Sequence, residues 1–162
     1  MIEVLITIAL IGVMATGIII AVNPLAQIQK AQDARRKSDL SQIQKAVETY
    51  YQDVGKYPPS TSDYKIKGLN NNAIEWGSSW QPYMAVLPKD PVSTKTYVYY
   101  SSSNGQTYYL YASLDRGAND PQACIGGWCK SLPNSDGVQI DACGPIDADP
   151  CDYGVSSPNV SP

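Results

Sequence analysis

An apolar run from Met1 to Val22, broken once by Glu3, flows without a gap into a polar segment of helical periodicity from Gln27 to Tyr51. No other feature limits the fold of this chain so strongly. The uncharged part, Val4 to Val22, has about the length that crosses a bilayer as a helix, roughly 20 residues. A carboxylate just inside the start of such a span is expensive in lipid unless it is partnered, which makes Glu3 a functional candidate by default. A cleaved signal peptide is the rival reading. Against it, no basic region precedes the run, no small-x-small cleavage site follows it, and helical periodicity continues past it.

Gly12, Gly17 and the pair Asn23-Pro24 weaken the helix, and Pro24 is expected to kink it or melt one turn by removing a backbone hydrogen bond. From Leu25 the pattern becomes amphipathic. Leu40, Ile43, Val47, Tyr50 and Val54 fall on one stripe, while Lys37, Gln44, Lys45, Glu48 and Gln52 occupy the other faces. Gly55 ends the helix and Pro58-Pro59 forbid a restart. A helix from Ile2 to about Val54 would be roughly 80 Å long at 1.5 Å per residue. That exceeds what one head domain can cover, so the N-terminal half must project.

The remainder reads as a small α+β head. Residues 58–83 form a Ser/Asn/Gly-rich connection in which Trp76 and Trp80 pack over the helix. Tyr97 to Tyr100 and Thr107 to Ser113 read as two β-strands joined through Asn104-Gly105, a strong hairpin signal. The tyrosines of this hairpin are expected to cover an antiparallel sheet with one wet face rather than to bind bases or sugars. From Arg116 onward the chain is rich in Gly, Pro, Asp, Asn and Ser and reads as irregular. The expected organisation is an apolar segment over residues 1–24, an amphipathic helix half over 25–54, loop and sheet over 55–115, and a cysteine-bearing tail over 116–162.

The four cysteines, Cys124, Cys129, Cys143 and Cys151, all lie in that tail. Crowded into a loop-rich segment behind an apolar helix, they point to two disulfides and an oxidising compartment. Gly126-Gly127 and Gly144-Pro145 let short loops turn back, which favours Cys124–Cys129 with Cys143–Cys151; the crossed and nested pairings stay open. Zinc would need Cys-x-x-Cys spacing, which neither pair has. Asp136, Asp141, Asp147 and Asp149 are weak calcium candidates; no EF-hand pattern accompanies them, and a solvated acidic loop is the preferred reading. The chain has no His, and no nucleophile or phosphate-loop motif is present, so neither an enzyme nor a cofactor is expected. The net charge of -3 gives no reason to expect nucleic acid as a partner. Basic residues cluster from Lys30 to Lys37, answered on the same helix by Asp33 and Asp39. By the positive-inside rule they would keep the head in the cytoplasm, in conflict with the cysteines.

Met1-Ile2-Glu3-Val4-Leu5-Ile6, the Gly/Pro-interrupted apolar helix and Ala34-Arg35-Arg36-Lys37-Ser38-Asp39-Leu40 resemble the mature N-terminal half of type IV pilins and their pseudopilin relatives. Leu87-Pro88-Lys89-Asp90-Pro91 resembles the turn before the first strand in major pseudopilins and simple pilins. The resemblance covers the first 55 residues and, less fully, Leu87 to Leu114. It implies a structural subunit, held by one span in the inner membrane before assembly and stacked afterwards into an extracellular pilus, a homopolymer of like subunits. Glu3 would face a neighbour's N-terminal amine, and Gly17 to Pro24 would unwind as subunits pack. A prepilin peptidase with N-methylating activity and assembly ATPases are implied as partners. The alternatives are a pseudopilin of a type II secretion system, building a short periplasmic piston, and a non-polymerising membrane-anchored binding domain. Relatives serve adhesion, motility, DNA uptake and secretion.

The resemblance further implies a short basic leader upstream, ending in Gly and followed by a methylated residue, with Phe expected. Mass spectrometry of the mature N-terminus checks this; an unmodified Met1 in assembled material would refute it.

Overall fold

The computed structural model describes residues 1–125, 129, 142–144 and 150–162; of residues 16–22 it describes the backbone alone. Two helices lead the chain, α1 over Ile2–Val22 and α2 over Pro24–Val54. The single long helix expected from the sequence is therefore divided. Asn23 takes a left-handed conformation, φ 45° and ψ 76°, and ends α1. The same residue opens α2: its side-chain oxygen accepts from the Ala26 backbone N–H at 3.3 Å. Pro24 is the first helical residue, where its missing N–H costs no hydrogen bond. The expected kink is thus a cap-to-cap junction, and the proline fits it without loss.

α2 ends as the sequence requires. Gly55 sits at φ 75°, and its N–H bonds the Tyr51 carbonyl at 2.8 Å. A side chain is strained in that left-handed geometry, and glycine is not. The buried stripe of α2 runs Asp33, Arg36, Asp39, Leu40, Ile43, Ala46, Val47 and Tyr50. Leu40, Ile43, Val47 and Tyr50 lie inside as expected, whereas Val54 is exposed. The inward face also reaches well before Leu40, further back than the apolar pattern shows, because its first members are charged.

Against this stripe lies a three-stranded antiparallel sheet, β1 Val98–Ser101, β2 Tyr108–Ala112 and β3 Tyr153–Ser156, with β2 in the centre. Val98 faces Tyr111 and Ser101 faces Tyr108 across β1 and β2, and Tyr109 faces Ser156 across β2 and β3. The hairpin forms where Asn104-Gly105 places it, with Gly105 at φ 69° and its N–H on the Ser102 carbonyl. β3 is the element that the sequence pattern does not reveal. Four residues containing a glycine give too short an alternation to stand out from a loop.

Strand alternation divides the tyrosines between two faces. Tyr99, Tyr108, Leu110 and Ala112 join Leu40, Ile43, Val47, Tyr50, Trp80 and Leu87 in the core under α2. The core holds no Phe, and buried tyrosine hydroxyls need acceptors. Tyr97 donates to Asp39 at 2.8 Å, Tyr108 to Glu48 at 3.1 Å and Tyr99 to the Pro58 carbonyl at 2.8 Å. Tyr57 also reaches Glu48, and burial first, then the Glu48 charge, pushes its hydroxyl up to about 12. The helix carboxylates are therefore structural acceptors for the sheet.

The outer face is not wet, contrary to expectation. Val98 and Tyr111 pack with Cys129, Cys143 and Cys151, and with Cys124 and Ala142 at the edge. Both disulfides form in the favoured pairing, Cys124–Cys129 with Cα atoms 4.8 Å apart and Cys143–Cys151 at 5.3 Å. A backbone bond from Cys129 N to Cys151 O ties the two cystines together, and one from Thr96 N to Cys143 O holds the second beside the chain that leads into β1. Gly154 has no Cβ because the Tyr111 ring lies across it; a Cβ there would stand 2.7 Å from that ring. The two cystines thus cover the outer side of β1 and β2 at Val98 and Tyr111.

Asp152 leads into β3 and is buried, with Oδ1 accepting from the Leu114 N–H at 2.8 Å. Burial pushes its carboxyl up to about 6. Because the folded value lies above the unfolded one, protonation favours the folded state. That contribution is complete below about pH 4 and gone once the pH has risen past about 6. Asp115 and Asp120 move the opposite way. Burial works against their charge, but hydrogen bonds from Lys95 and Arg36, and from Lys37, outweigh it and hold them below the ordinary value. Both stay ionised between pH 7 and 5. Thermal unfolding should therefore show the head gaining about 1 kcal/mol from Asp152 between pH 7 and 5. Asp152→Asn should flatten that slope, and an unchanged slope would remove Asp152 as its source.

Candidate functional site

The site is a surface rather than a pocket. Among the described side chains the first buried one is Asp33, so nothing ahead of it belongs to the core of the head. From Met1 to Met14 no large apolar side chain is less than 54 % exposed, and Leu25 and Ile28 continue the exposure past the junction. A helix apolar on every side is stable only when something apolar surrounds it. An exposed apolar surface of this extent marks an interaction site with lipid or with other chains.

Glu3 lies in the first turn of α1, where the helix dipole favours an anion. It is exposed and has no ion-pair partner among the described residues. Gly17 lies within α1 in the stretch described by backbone alone, and Pro24 opens α2. The three residues singled out for assembly therefore sit on one projecting segment, at its start, near its end and just past it. Asp136, Asp141, Asp147 and Asp149 lie outside the described residues, and among the described residues no acidic or cysteine cluster is arranged to hold a metal. Among the described residues no helix is long and apolar enough to cross a membrane; the side chains of α1 are described only as far as Ala15.

What joins this segment to the head is a buried ion cluster that hydrophobic periodicity does not reveal. Arg36 is wholly buried and uses its guanidinium as a fork. Nε and Nη2 donate to the two oxygens of Asp90 at 2.9 and 3.2 Å; Nη1 donates to Asp33 and to Asp115, both at 2.8 Å. Desolvation opposes the buried charge, yet the bonds to Asp90 and Asp115 outweigh it and leave the guanidinium more firmly protonated than usual. Lys95 adds a second cation, 2.8 Å from Asp115. Asp33 also accepts from the backbone N–H groups of Asp115 and Arg116, at 2.7 and 3.0 Å. Asp90 is the acid of the Leu87 to Pro91 turn, and its role is structural, since through Arg36 it fastens that turn to α2.

The cluster also bears on the topology conflict. Arg36 is consumed by three carboxylates, Lys37 pairs with Asp120 at 2.6 Å, and Arg35 lies 3.8 Å from Asp39. Most of the positive charge after the apolar run is thus paired in the folded head, though only Arg36 is paired in its interior. A signal for these roles existed in the spacing, since Asp33, Arg36 and Leu40 continue the period of the apolar stripe. Hydrophobicity alone could not show it.

A family model described as type II secretion system (T2SS), protein G, matches residues 23–128, more than half of the chain. The chain belongs to the type II secretion system protein G family. No curated protein and no solved structure matches it. Membership of the protein G family agrees with the pilin and pseudopilin resemblance drawn from the N-terminal motif. The matched segment begins at Asn23, where α1 ends, and it includes Arg36, Asp90 and Asp115.

Arg36→Met should destabilise the head by about 3–5 kcal/mol, because it leaves the buried carboxylates of Asp33 and Asp90 without their counter-charge, while Asp115 keeps Lys95. Arg36→Lys should recover only part of this, since an ammonium cannot form the fork. Chemical unfolding checks both. A loss within the roughly 0.5 kcal/mol of an ordinary surface change would show that the cluster does not hold the head together.

Proposed function

We propose that the chain is a structural subunit of a secretion-type filament, anchored in a cell membrane by α1 and then stacked through α1 onto further copies of itself. The observation that carries this reading is the division of the molecule. The head has a core fastened by its own ion cluster and disulfides, and no described side chain of α1 belongs to it. The apolar surface of α1 is left over and has work only in lipid or among other helices. Lipid and a bundle of like helices offer nearly the same apolar surroundings, so the segment can pass from one to the other at small cost.

Membership of the protein G family supports the short piston-like filament of a secretion machine as the first reading. A longer surface pilus is the second, and the stapled tail favours it, because disulfides protect a head that works outside the cell. In either case the partners are like subunits, an assembly ATPase and a peptidase that processes and methylates the N-terminus. Glu3 sets the register. In the dry centre of a filament, the carboxylate would pair with a neighbour's N-terminal amine, where a missed pairing is heavily penalised.

Glu3→Leu should leave the head folded and the protein membrane-bound while filaments become rare. The comparison is of sheared filaments with membrane-held protein from cells making the full precursor. Normal filaments in normal numbers would move the reading to an anchored, non-polymerising domain. Electron microscopy of the wild-type cells separates the two filament readings, since only the pilus gives long surface fibres.

A further inference from the structure

We propose that the base of the head carries a contact surface for anionic phospholipid headgroups, made by Lys30 and Arg116 beside the α1–α2 junction. The inference rests on the membrane-anchored reading of α1 and adds what the head does while it waits there.

Height along α2 is the first observation. Arg116 comes from the loop after β2, yet its Nη1 lies 3.4 Å from the carbonyl of Ala26, three residues past Asn23. At 1.5 Å per residue the guanidinium is held only about 5 Å along α2 from the junction, and Lys30 follows at about 10 Å. A headgroup layer is several ångströms deep on each side of the hydrocarbon. A lysine stem can also bend its ammonium toward that layer. If α1 ends where the hydrocarbon ends, both cations lie within one Debye length of the phosphates, about 8–10 Å.

The charge around them is the second observation. Lys30 and Arg116 line an open groove with Asp33, Ala34, Lys37, Asn119 and Asp120, about 220 Å³ in volume. The acids of this groove are already occupied. Asp33 accepts from Arg36 and from two backbone N–H groups, and Asp120 is held by Lys37 and by the Gln122 N–H. Among the described residues, Lys30 and Arg116 form ion pairs with neither of these acids, and each is surplus to the ion pairs of the head. A groove whose acids are spent and whose uncompensated charges are cationic favours an anion. The anion a bilayer supplies at that height is a lipid phosphate. The contact would orient the head over the membrane and be surrendered when the subunit is drawn out.

The test uses the full chain in nanodiscs of phosphatidylcholine alone or mixed with phosphatidylglycerol, with amide hydrogen exchange read over residues 26–37 and 117–119. The mixed discs should slow exchange by about fivefold for each cation engaged, the worth of one basic residue at an anionic surface. Lys30→Gln should remove part of the slowing and Lys30→Gln with Arg116→Gln nearly all of it, while Lys45→Gln, on an exposed part of α2 further from the junction, should leave it intact. Lys30 is exposed and outside the ion cluster, so its variant does not endanger the fold. Equal exchange in the two discs would overturn the headgroup contact and leave the anchor standing. Failure of the chain to elute with either disc would sink the anchor and this inference with it. Equal slowing by inorganic phosphate in neutral discs would replace the bilayer contact with a site for free phosphate.

Discussion

One buried guanidinium holds the molecule's parts in register. Arg36 projects from α2 into a space closed by Asp33 on its own helix, Asp90 in the turn before the sheet and Asp115 just beyond β2. A buried cation tolerates few arrangements, since each unused donor would be left without water. The fork therefore fixes which stretch of α2 the head sits on. With that fixed, Leu40, Ile43 and Val47 meet the sheet, Asp39 and Glu48 meet the tyrosine hydroxyls, and the first turns of α2 are left bare. An apolar clamp would hold as tightly but would not choose a register as sharply.

The choice of tyrosine over phenylalanine follows the same logic. Each inward ring of the sheet brings a hydroxyl that must find an acceptor, and the acceptors are fixed points on the helix or on the Pro58 carbonyl. The sheet is thus positioned twice, by area and by hydrogen bonds. On its far side the cystines do what a second helix does in larger α+β domains. They pack on Val98 and Tyr111, and Cys151 leads into β3 alongside β2. A head built in this way takes no described core side chain from α1. That separation fits the proposed filament subunit, whose α1 would exchange lipid for neighbouring helices.

Much of the outline was legible in the residues. The apolar run, the Gly55 stop, the hairpin at Asn104-Gly105 and the short-loop disulfides rest on local rules, and each stands where those rules place it. Asn23-Pro24 was legible as a disturbance, but whether proline breaks a helix or begins one depends on the conformation of the residue before it. The candidate site was legible as far as it is local: Glu3 and the length of the apolar surface. Its attachment to the head was not, because Arg36, Asp90 and Asp115 are far apart in sequence and each alone resembles a solvated charge.

The sequence by itself determined periodicity, caps, turns and the amount of apolar surface, all of which act between near neighbours. It thereby required a projecting apolar helix, an amphipathic continuation and a stapled head. Only the tertiary structure decided which charges are buried, which face of the sheet is covered and that the tail returns to form β3. Those outcomes depend on desolvation, and desolvation depends on what distant segments bring to the same place. Asp33 and Lys30 share the early turns of one helix; the first is buried against the chain just past β2 and the second is left facing outward. Both are charged, and charge alone does not assign the two fates. The packed head does.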